Sequence, residues 1–337
     1  MVNYRCDFIY ASDGSSPIGS ADQIYQAGIM YGKFYANEFY KQLVASPYWL
    51  ANNANPGGLV MKKVSVTGIK FKCQPVDGIP FYLALGKVTA DTPASDQFTI
   101  QGSTDGDVPE LVFHKENKHA PTNKQAYEFT GVKCKKLSAN IEDGFLVTEL
   151  EFIGEEMKDQ ANDNVVLNTT SPSFRGTSAP VMPYKILGNP YISVTWNSQT
   201  LSNHVQSLSF SIENDIVAEL IEDGNDHATV FNRGKRTYGE IMMTLLVDTN
   251  LAVLDPDTST KSDLVVTIPR RHANDYLKFT FKNVALKKFE FKPVPDSDDR
   301  LPLVEAVWTG ATDLEVVDRQ VDSSGNAAPN ADADYEL

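Results

Sequence analysis

Short runs in which small or apolar residues alternate with polar ones dominate the chain and predict half-buried β-strands. The clearest runs are residues 63–73, 145–153, 191–196 and 207–212. Turn-forming dipeptides separate such runs, as at Asp77-Gly78, Asp143-Gly144 and Asp223-Gly224. The pattern therefore predicts a mainly β protein with few short helices.

Helical spacing of apolar residues is confined to two segments. Residues 21–44 carry apolar side chains at helical intervals, although Gly28 and Gly32 interrupt them. The second segment is the short run Ile79–Leu85. We expect a helix in each segment.

An internal repeat is the most informative feature of the sequence. Residues 127–139 carry apolar pairs at 127/129, 132/134 and 137/139, and residues 279–291 carry them at 279/281, 284/286 and 289/291. A strand keeps one apolar face only at even spacing, so the odd steps between pairs predict bulges or twists. The same odd steps in both copies predict one bent strand made twice.

Neighbouring segments extend the repeat into a duplicated β domain. Residues 148–154 match residues 304–310, and upstream the strand that begins at Val64 finds its predicted counterpart in residues 208–212. Two matches in the same order indicate duplication. We predict three regions, namely a first domain with an N-terminal arm at 1–160, a second domain at 161–320 and a polar acidic tail at 321–337.

The charge of the chain narrows the classes of function. Its 337 residues include 30 Lys plus Arg and 44 Asp plus Glu, a formal net charge of -14. That balance argues against a protein that holds nucleic acid by neutralising phosphates. It is compatible with a protein that lets a polyanion pass without adhering, because like charges repel.

The cysteines and the apolar runs suggest a protein made in a cytosol. Cys6, Cys73 and Cys134 form no CxxC pair, so the sequence predicts neither a zinc site nor a disulfide framework. Residues 1–7 do not resemble a signal peptide, and no stretch has the length of a membrane span. We therefore expect a soluble protein without membrane partners.

Motifs for catalysis or cofactor binding are not found in the sequence. It contains no GxSxG nucleophile elbow, no phosphate-binding loop and no GxGxxG. His114 and His119 are five residues apart, a spacing that places them on opposite faces of a strand. Glu149 and Glu151 share one face of a strand and are compatible with an acid/base pair or with a solvated face. We predict no catalytic residues, no metal, no cofactor and no enzymatic activity.

Two basic clusters leave several interpretations open. One cluster is Arg270-Arg271-His272, and the other comprises Arg233, Lys235 and Arg236. In an acidic chain, ion pairs with neighbouring subunits are the favoured interpretation, followed by a solvated surface and then by nucleic-acid contact.

Together these segments resemble the two-domain tail tube proteins of long-tailed bacteriophages. The resemblance rests on the order of four pieces. They are residues 64–71 followed by 79–86, residues 97–100, residues 127–133 with Leu137 and the strand ending at 151–154, and residues 205–214 followed by 233–240. They cover much of residues 60–310, whereas the first sixty residues and residues 105–123 have no pattern that matches.

The resemblance implies two tandem tail-tube-like β-sandwich domains per chain, with few short helices. It implies inner sheets that join between subunits into a β-barrel around a lumen, in a trimeric ring with pseudo-sixfold symmetry. Such rings stack helically into the tail of a virion made in the host cytoplasm. The implied partners are further copies of the chain, the tape measure protein, other tail proteins at the tube ends and transient genomic DNA in the lumen.

Strand parity and charge give a hypothesis for the lining of such a tube. Glu149 and Glu151, with Glu305 in the second copy, are the candidate lumen-facing acids that would repel DNA phosphates. The alternatives are a baseplate hub or secretion-tube-like structural protein, and a receptor- or carbohydrate-binding β-sandwich protein.

Overall fold

The protein is mainly β. The structure is a computed structural model that describes residues 8–10, 24–25, 33–36, 43–45, 59–61, 66–75, 77–90, 97–103, 107–117, 125–159, 192–202, 205–219, 230–247, 254, 256–270, 273–292 and 302–319. The predicted domain boundary at 160 borders a gap in these ranges, and the predicted tail at 321–337 lies outside them.

Strands make up nearly all the regular structure of the described residues. In the first half of the chain they are β1 (Phe8–Tyr10), β2 (Ile24–Tyr25), β3 (Lys33–Ala36), β4 (Leu43–Ala45), β5 (Leu59–Met61), β6 (Val66–Cys73), β7 (Gly86–Ala90), β8 (Gln97–Gly102), β9 (Glu110–Asn117), β10 (Gln125–Glu142), β11 (Phe145–Gly154) and β12 (Glu156–Asp159). In the second half they are β13 (Ser193–Trp196), β14 (Gln199–Ser202), β15 (Val205–Glu219), β16 (Val230–Tyr238), β17 (Ile241–Leu246), β18 (Asp257–Pro269), β19 (Tyr276–Lys292), β20 (Leu303–Thr309) and β21 (Asp313–Arg319).

One helix, α1 (Ile79–Leu85), occurs within the described ranges, where the sequence predicted it. Pro80 suits its first turn, and Gly86 ends it in the left-handed conformation at φ 95°, with its N–H donated to the Tyr82 carbonyl. This helix is too short to cross a membrane, and the described residues contain no other candidate span.

The helix expected at residues 21–44 is wrong. The described residues of that segment lie in β2, β3 and β4. Gly28 and Gly32 disfavour a continuous helix, and apolar residues in short strands can imitate helical spacing.

Strands β10 and β19 are the two bent strands that the repeat predicted, and their bends are confirmed. Two shifts of the pairing register recur in both strands, the first at Phe129/Val132 in β10 and at the equivalent Phe281/Val284 in β19. The residue inside this first bend has positive φ in both copies, 59° at Gly131 and 57° at Asn283. Glycine and asparagine are the residues that adopt this conformation at least cost.

The second register shift also recurs at equivalent places. It falls between Cys134 and Lys136 in the pairing of β10 with β11, and between Leu286 and Lys288 in the pairing of β19 with β20. Because of these bulges, the first half of each strand pairs in one ladder and the second half in another. The N-terminal half of β10 pairs with β9 and β12, and that of β19 pairs with β18 and β21.

Strand pairing corrects one part of the predicted repeat. Strand β6 pairs with β11 as β17 pairs with β20, so β17 and not β15 is the counterpart of β6. Strand β15 pairs with β17 as β3 pairs with β6. The prediction was wrong because adjacent strands of one sheet carry the same alternation, which does not reveal their order.

The second halves of the bent strands belong to one antiparallel ladder that runs through both halves of the chain. Its order is β3, β6, β11, β10, β15, β17, β20 and β19, and we call it the eight-strand ladder. Its terminal strands, β3 and β19, do not pair with each other, so the ladder is open within the described part of the chain.

A single large hydrophobic cluster packs against one face of this ladder and takes side chains from both halves. Phe81 of α1 lies 5.0 Å from Phe279, centroid to centroid, and Phe210 of β15 lies 5.0 Å from Phe281. The first edge-to-face contact joins the helix of the first half to β19, and the second joins two strands of the second half.

Candidate functional site

The face of the eight-strand ladder opposite the core is polar. Directly paired residues of antiparallel strands point to the same side, so the registers identify its members. Its charged members are Lys70, Lys72, Lys136, Lys288, Lys292, Glu142, Glu149, Glu151, Glu213, Glu290 and Glu305. Small polar residues, Ser138, Asn140, Ser209 and Ser211, occupy its centre.

In the first half of the chain, lysines of β6 pair with acids of the neighbouring strands. The Lys70 ammonium lies 3.2 Å from Glu151 and 3.9 Å from Glu149. Lys72 lies 2.7 Å from Glu142, and hydrogen bonds from Lys72 and then Asn140 lower the pKa of that carboxyl below its ordinary value.

The second half repeats this arrangement with different strands. Lys288 lies 2.7 Å from Glu290 and 3.0 Å from Glu305, and Lys292 lies 3.2 Å from Glu305. Hydrogen bonds from Lys288 and Lys292 lower the pKa of Glu305, and those to Glu290 and Glu305 raise the pKa of Lys288.

The three predicted lining acids therefore lie on the same polar face of the ladder, but they do not form one cluster. Glu149 and Glu151 lie on β11, whereas Glu305 lies on β20, with β10, β15 and β17 between them. Each has a lysine within salt-bridge distance. These five lysines against six glutamates, with Lys33 of β3 in register with Lys72, leave the face nearly neutral in formal charge and not strongly acidic.

The two halves meet where β10 pairs with β15, and we call this pairing the internal junction. Residues Lys136–Asn140 face residues 209–213, with Ala139 opposite Phe210 and Asn140 opposite Ser209. Ala139 is 2% exposed and Phe210 is 4% exposed, so the junction is fully packed on its core side.

A buried asparagine connects the internal junction to the helix. Asn214 donates to the carbonyls of Ala84 (2.9 Å) and Cys134 (3.0 Å), and it accepts from Arg236 Nε (2.8 Å). Arg236 also donates to the Leu85 carbonyl (2.9 Å). This Asn214 network satisfies two carbonyls at the end of α1 and ties both halves together.

The two terminal strands of the ladder, β19 and β3, each have an outer edge with no partner strand among the described residues. The side of β19 that faces away from β20 at residues 288–292 has no strand beside it among the described residues, and we call it the open edge. Phe291, paired with the buried Val304, points to the core side of the ladder but remains 50% exposed. At the opposite end, β3 has β6 on one side, and the described part of the chain places nothing on its outer edge.

One arginine of each basic cluster has partners within the chain. Arg270 is buried and makes a bidentate pair with the fully buried Asp275, with a closest approach of 2.7 Å. Arg236 belongs to the Asn214 network. For these two arginines, the predicted ion pairs with other subunits are replaced by internal contacts.

Among the described residues, no group of three or more His, Cys, Asp or Glu side chains could hold a metal ion. Cys134 is buried, and desolvation raises the pKa of its thiol far above the ordinary value. It therefore acts as a small core residue.

Comparison of the chain with protein-family models and with curated proteins finds no match. The geometry of the ladder and its edges therefore carries the functional argument.

The internal junction and the Asn214 network were missed from the sequence. Asn214 follows an alternating run and has the composition signal of a surface residue. The usable signal was the repeat itself, because a bent strand made twice presents two equivalent edges, and the described residues place a strand beside the edge of β10 but not beside that of β19.

Proposed function

We propose that the chain is a structural protein of a phage tail tube, in which stacked rings form a conduit for genomic DNA during ejection. It would fold as two tandem β-sandwich domains whose inner sheets form the eight-strand ladder. The observation that carries the proposal is this ladder, which continues across both halves of the chain and, among the described residues, ends in an unpaired strand edge on each side.

Unpaired edges favour association with further strands. An edge presents free N–H and C=O groups, and pairing it with a different edge of another copy gives a head-to-tail contact. Such contacts close into a ring when the rotation permits. The outer edge of β3 and the open edge of β19 are two different edges, as this kind of assembly requires.

The width of the resulting barrel supports three copies per ring. A barrel of about eight strands is filled by its own side chains, so a single ladder closed on itself would have no channel. Three ladders give twenty-four strands, and at about 4.8 Å per strand the backbone diameter is about 37 Å before tilt widens it. This width leaves room for a DNA duplex inside the side-chain lining.

The polar face of the ladder suits such a lining. On that surface Glu149, Glu151 and Glu305 would face the lumen, each beside a lysine. Binding of nucleic acid is driven by release of counterions from phosphates to an excess of cationic side chains, and this face has no such excess. DNA would therefore pass without being held.

Electron microscopy of the purified full chain tests the proposal. We expect rings or tubes with a central channel, and a mass in solution that is a multiple of three chains. A persistent monomer that binds sugars would overturn the proposal in favour of a carbohydrate-binding protein. Single rings that never stack, even at high concentration, would instead favour a baseplate hub.

Two matched variants connect this result to the open edge. Phe291→Gln and Met242→Gln both replace a half-exposed apolar side chain, since Phe291 is 50% and Met242 is 47% exposed. Phe291 lies on the open edge and Met242 within the ladder on β17. We expect Phe291→Gln to weaken ring formation at least tenfold and Met242→Gln to preserve it. Equal effects would remove the open edge from the proposal.

A further inference from the structure

We propose that the open edge of β19 pairs with the outer edge of β3 of a second copy in one defined register, with Lys292 opposite Tyr35 and Phe291 opposite Ala36. This inference rests on the proposed function for the existence of a ring, and it adds the contact that closes it. The register follows from the internal junction, which contains the equivalent pair of strands within one chain.

The equivalence of the two bent strands is set by their partners. Leu137 pairs with Leu150 as Phe289 pairs with Ala306, and the bulges before them coincide. Position 139 of β10 therefore corresponds to 291 of β19, and position 140 corresponds to 292.

The equivalence of β3 and β15 is established in the same way. Phe34 pairs with Phe71 of β6, and Leu208 pairs with Met243 of β17, which is the counterpart of β6. Position 35 therefore corresponds to 209, and position 36 corresponds to 210.

Transferring the internal pairing then gives the register between copies. The internal pairs Asn140 with Ser209 and Ala139 with Phe210 become Lys292 with Tyr35 and Phe291 with Ala36.

Residue size at the transferred pair supports this register. The internal pair combines alanine on the bent strand with phenylalanine on its partner, and both are buried. The transferred pair has phenylalanine on the bent strand and alanine on its partner, so each junction contains one large and one small residue. Packed cores tolerate such exchanges when the total volume is kept. Phe291 would then be exposed in the single chain because the strand that buries it belongs to a second copy.

Disulfide trapping tests the register, with the internal junction as the reference. Asn140→Cys with Ser209→Cys reports whether this pair of positions can form a disulfide within one chain. Lys292→Cys with Tyr35→Cys should then link different copies and give a covalent species of three times 37.2 kDa on a non-reducing gel. Each single variant measures the background from the native thiols.

A register control separates this inference from the proposed function. Lys292→Cys with Lys33→Cys places the second thiol two residues along β3, about 6.8 Å away, beyond the range of a disulfide. If rings form and the control pair gives as much disulfide-linked species as the Tyr35 pair, or more, the proposed register is wrong but the proposed ring is not. If no rings form, the proposed function itself fails.

Exchange of the two residue sizes gives a second readout. Phe291→Ala and Ala36→Phe should each weaken trimer formation at least tenfold. The double variant recreates the small–large order of the internal junction and should recover most of the loss. Failure of the double variant to exceed either single variant would overturn the pairing of these two positions.

Discussion

The internal junction and the open edge involve equivalent edges of the two bent strands, and they differ in whether another strand pairs with that edge. Ala139 and Phe291 occupy equivalent positions after equivalent bulges, yet Ala139 is 2% exposed and Phe291 is 50% exposed. The difference is that β15 lies beside β10, whereas β19 has no neighbour on that side among the described residues. The comparison teaches that exposure of Phe291 reflects a missing strand and not a polar position.

The internal junction and the open edge also differ in the contacts that support them. The Asn214 network anchors β15 to both β10 and the end of α1. Such a network is built into the chain, so the internal junction forms during folding. A contact at the open edge depends instead on the concentration of other copies.

The largest expected effect on stability comes from truncating one phenylalanine at the internal junction, compared with one at the open edge. Phe210→Ala removes a buried ring that contacts Phe81, Phe279 and Phe281, and it should lower the free energy of unfolding by about 3–5 kcal/mol. Phe291→Ala removes a half-exposed ring that makes an edge-to-face contact with Phe289, and it should lower the free energy of unfolding of the single chain by only about 1 kcal/mol. Urea denaturation at concentrations too low for assembly measures both. Similar losses would mean that Phe291 is already packed within its own chain.

The Asn214 network gives the next largest effect. Asn214→Ala removes three hydrogen bonds from a fully buried site and should cost about 3 kcal/mol, because the carbonyls it serves are left in a dry environment. Asn274→Ala, in the exposed turn before β19, is the control and should cost less than about 0.5 kcal/mol. If the two variants have equal stability, the halves do not depend on this network for their connection.

A smaller effect is expected where the two bends differ in residue type. Gly131→Ala places a Cβ at φ 59°, against the Glu155 side chain, and should cost about 1–2 kcal/mol. Asn283→Gly, at the equivalent bend of β19, relieves the left-handed backbone but loses an exposed hydrogen bond to Thr312, so the net change should stay within about 0.5 kcal/mol. Thermal or urea unfolding of both variants measures the difference, and a neutral Gly131→Ala would show that the bend relaxes.

The bends were predictable from sequence because they are local. Odd steps between apolar pairs require a bulge wherever a strand keeps a buried face, so the patterns at 127–139 and 279–291 contain the information. The helix Ile79–Leu85 was predictable for a similar reason, since its apolar run ends at a glycine.

The pairing of distant strands was not predictable in the same way. Lys70 and Glu151 both looked like solvated residues of separate strands, and only the register of β6 with β11 brings them within 3.2 Å. Asn214 looked like a surface residue until β15 was placed beside β10. Alternation identifies the buried face of a strand, but it does not identify which strand lies next to it.

The smallest expected effect concerns the ion pairs next to the open edge. Because Lys288 and Lys292 lower the pKa of Glu305, this carboxylate stabilises the fold above its unfolded pKa, and that contribution is lost as the pH falls through the lowered folded value. The pair is solvent-exposed, so the change in stability is too small for denaturation to resolve. Carboxyl NMR titration, with Glu305→Gln to assign the signal, measures the pKa directly. Lys288→Met should raise the pKa of Glu305 toward its ordinary value, whereas Lys287→Met, which removes the partner of Glu240, should leave it unchanged. An equal response to both variants would mean that general surface charge, and not the specific pair, sets the pKa of this residue on the proposed lining.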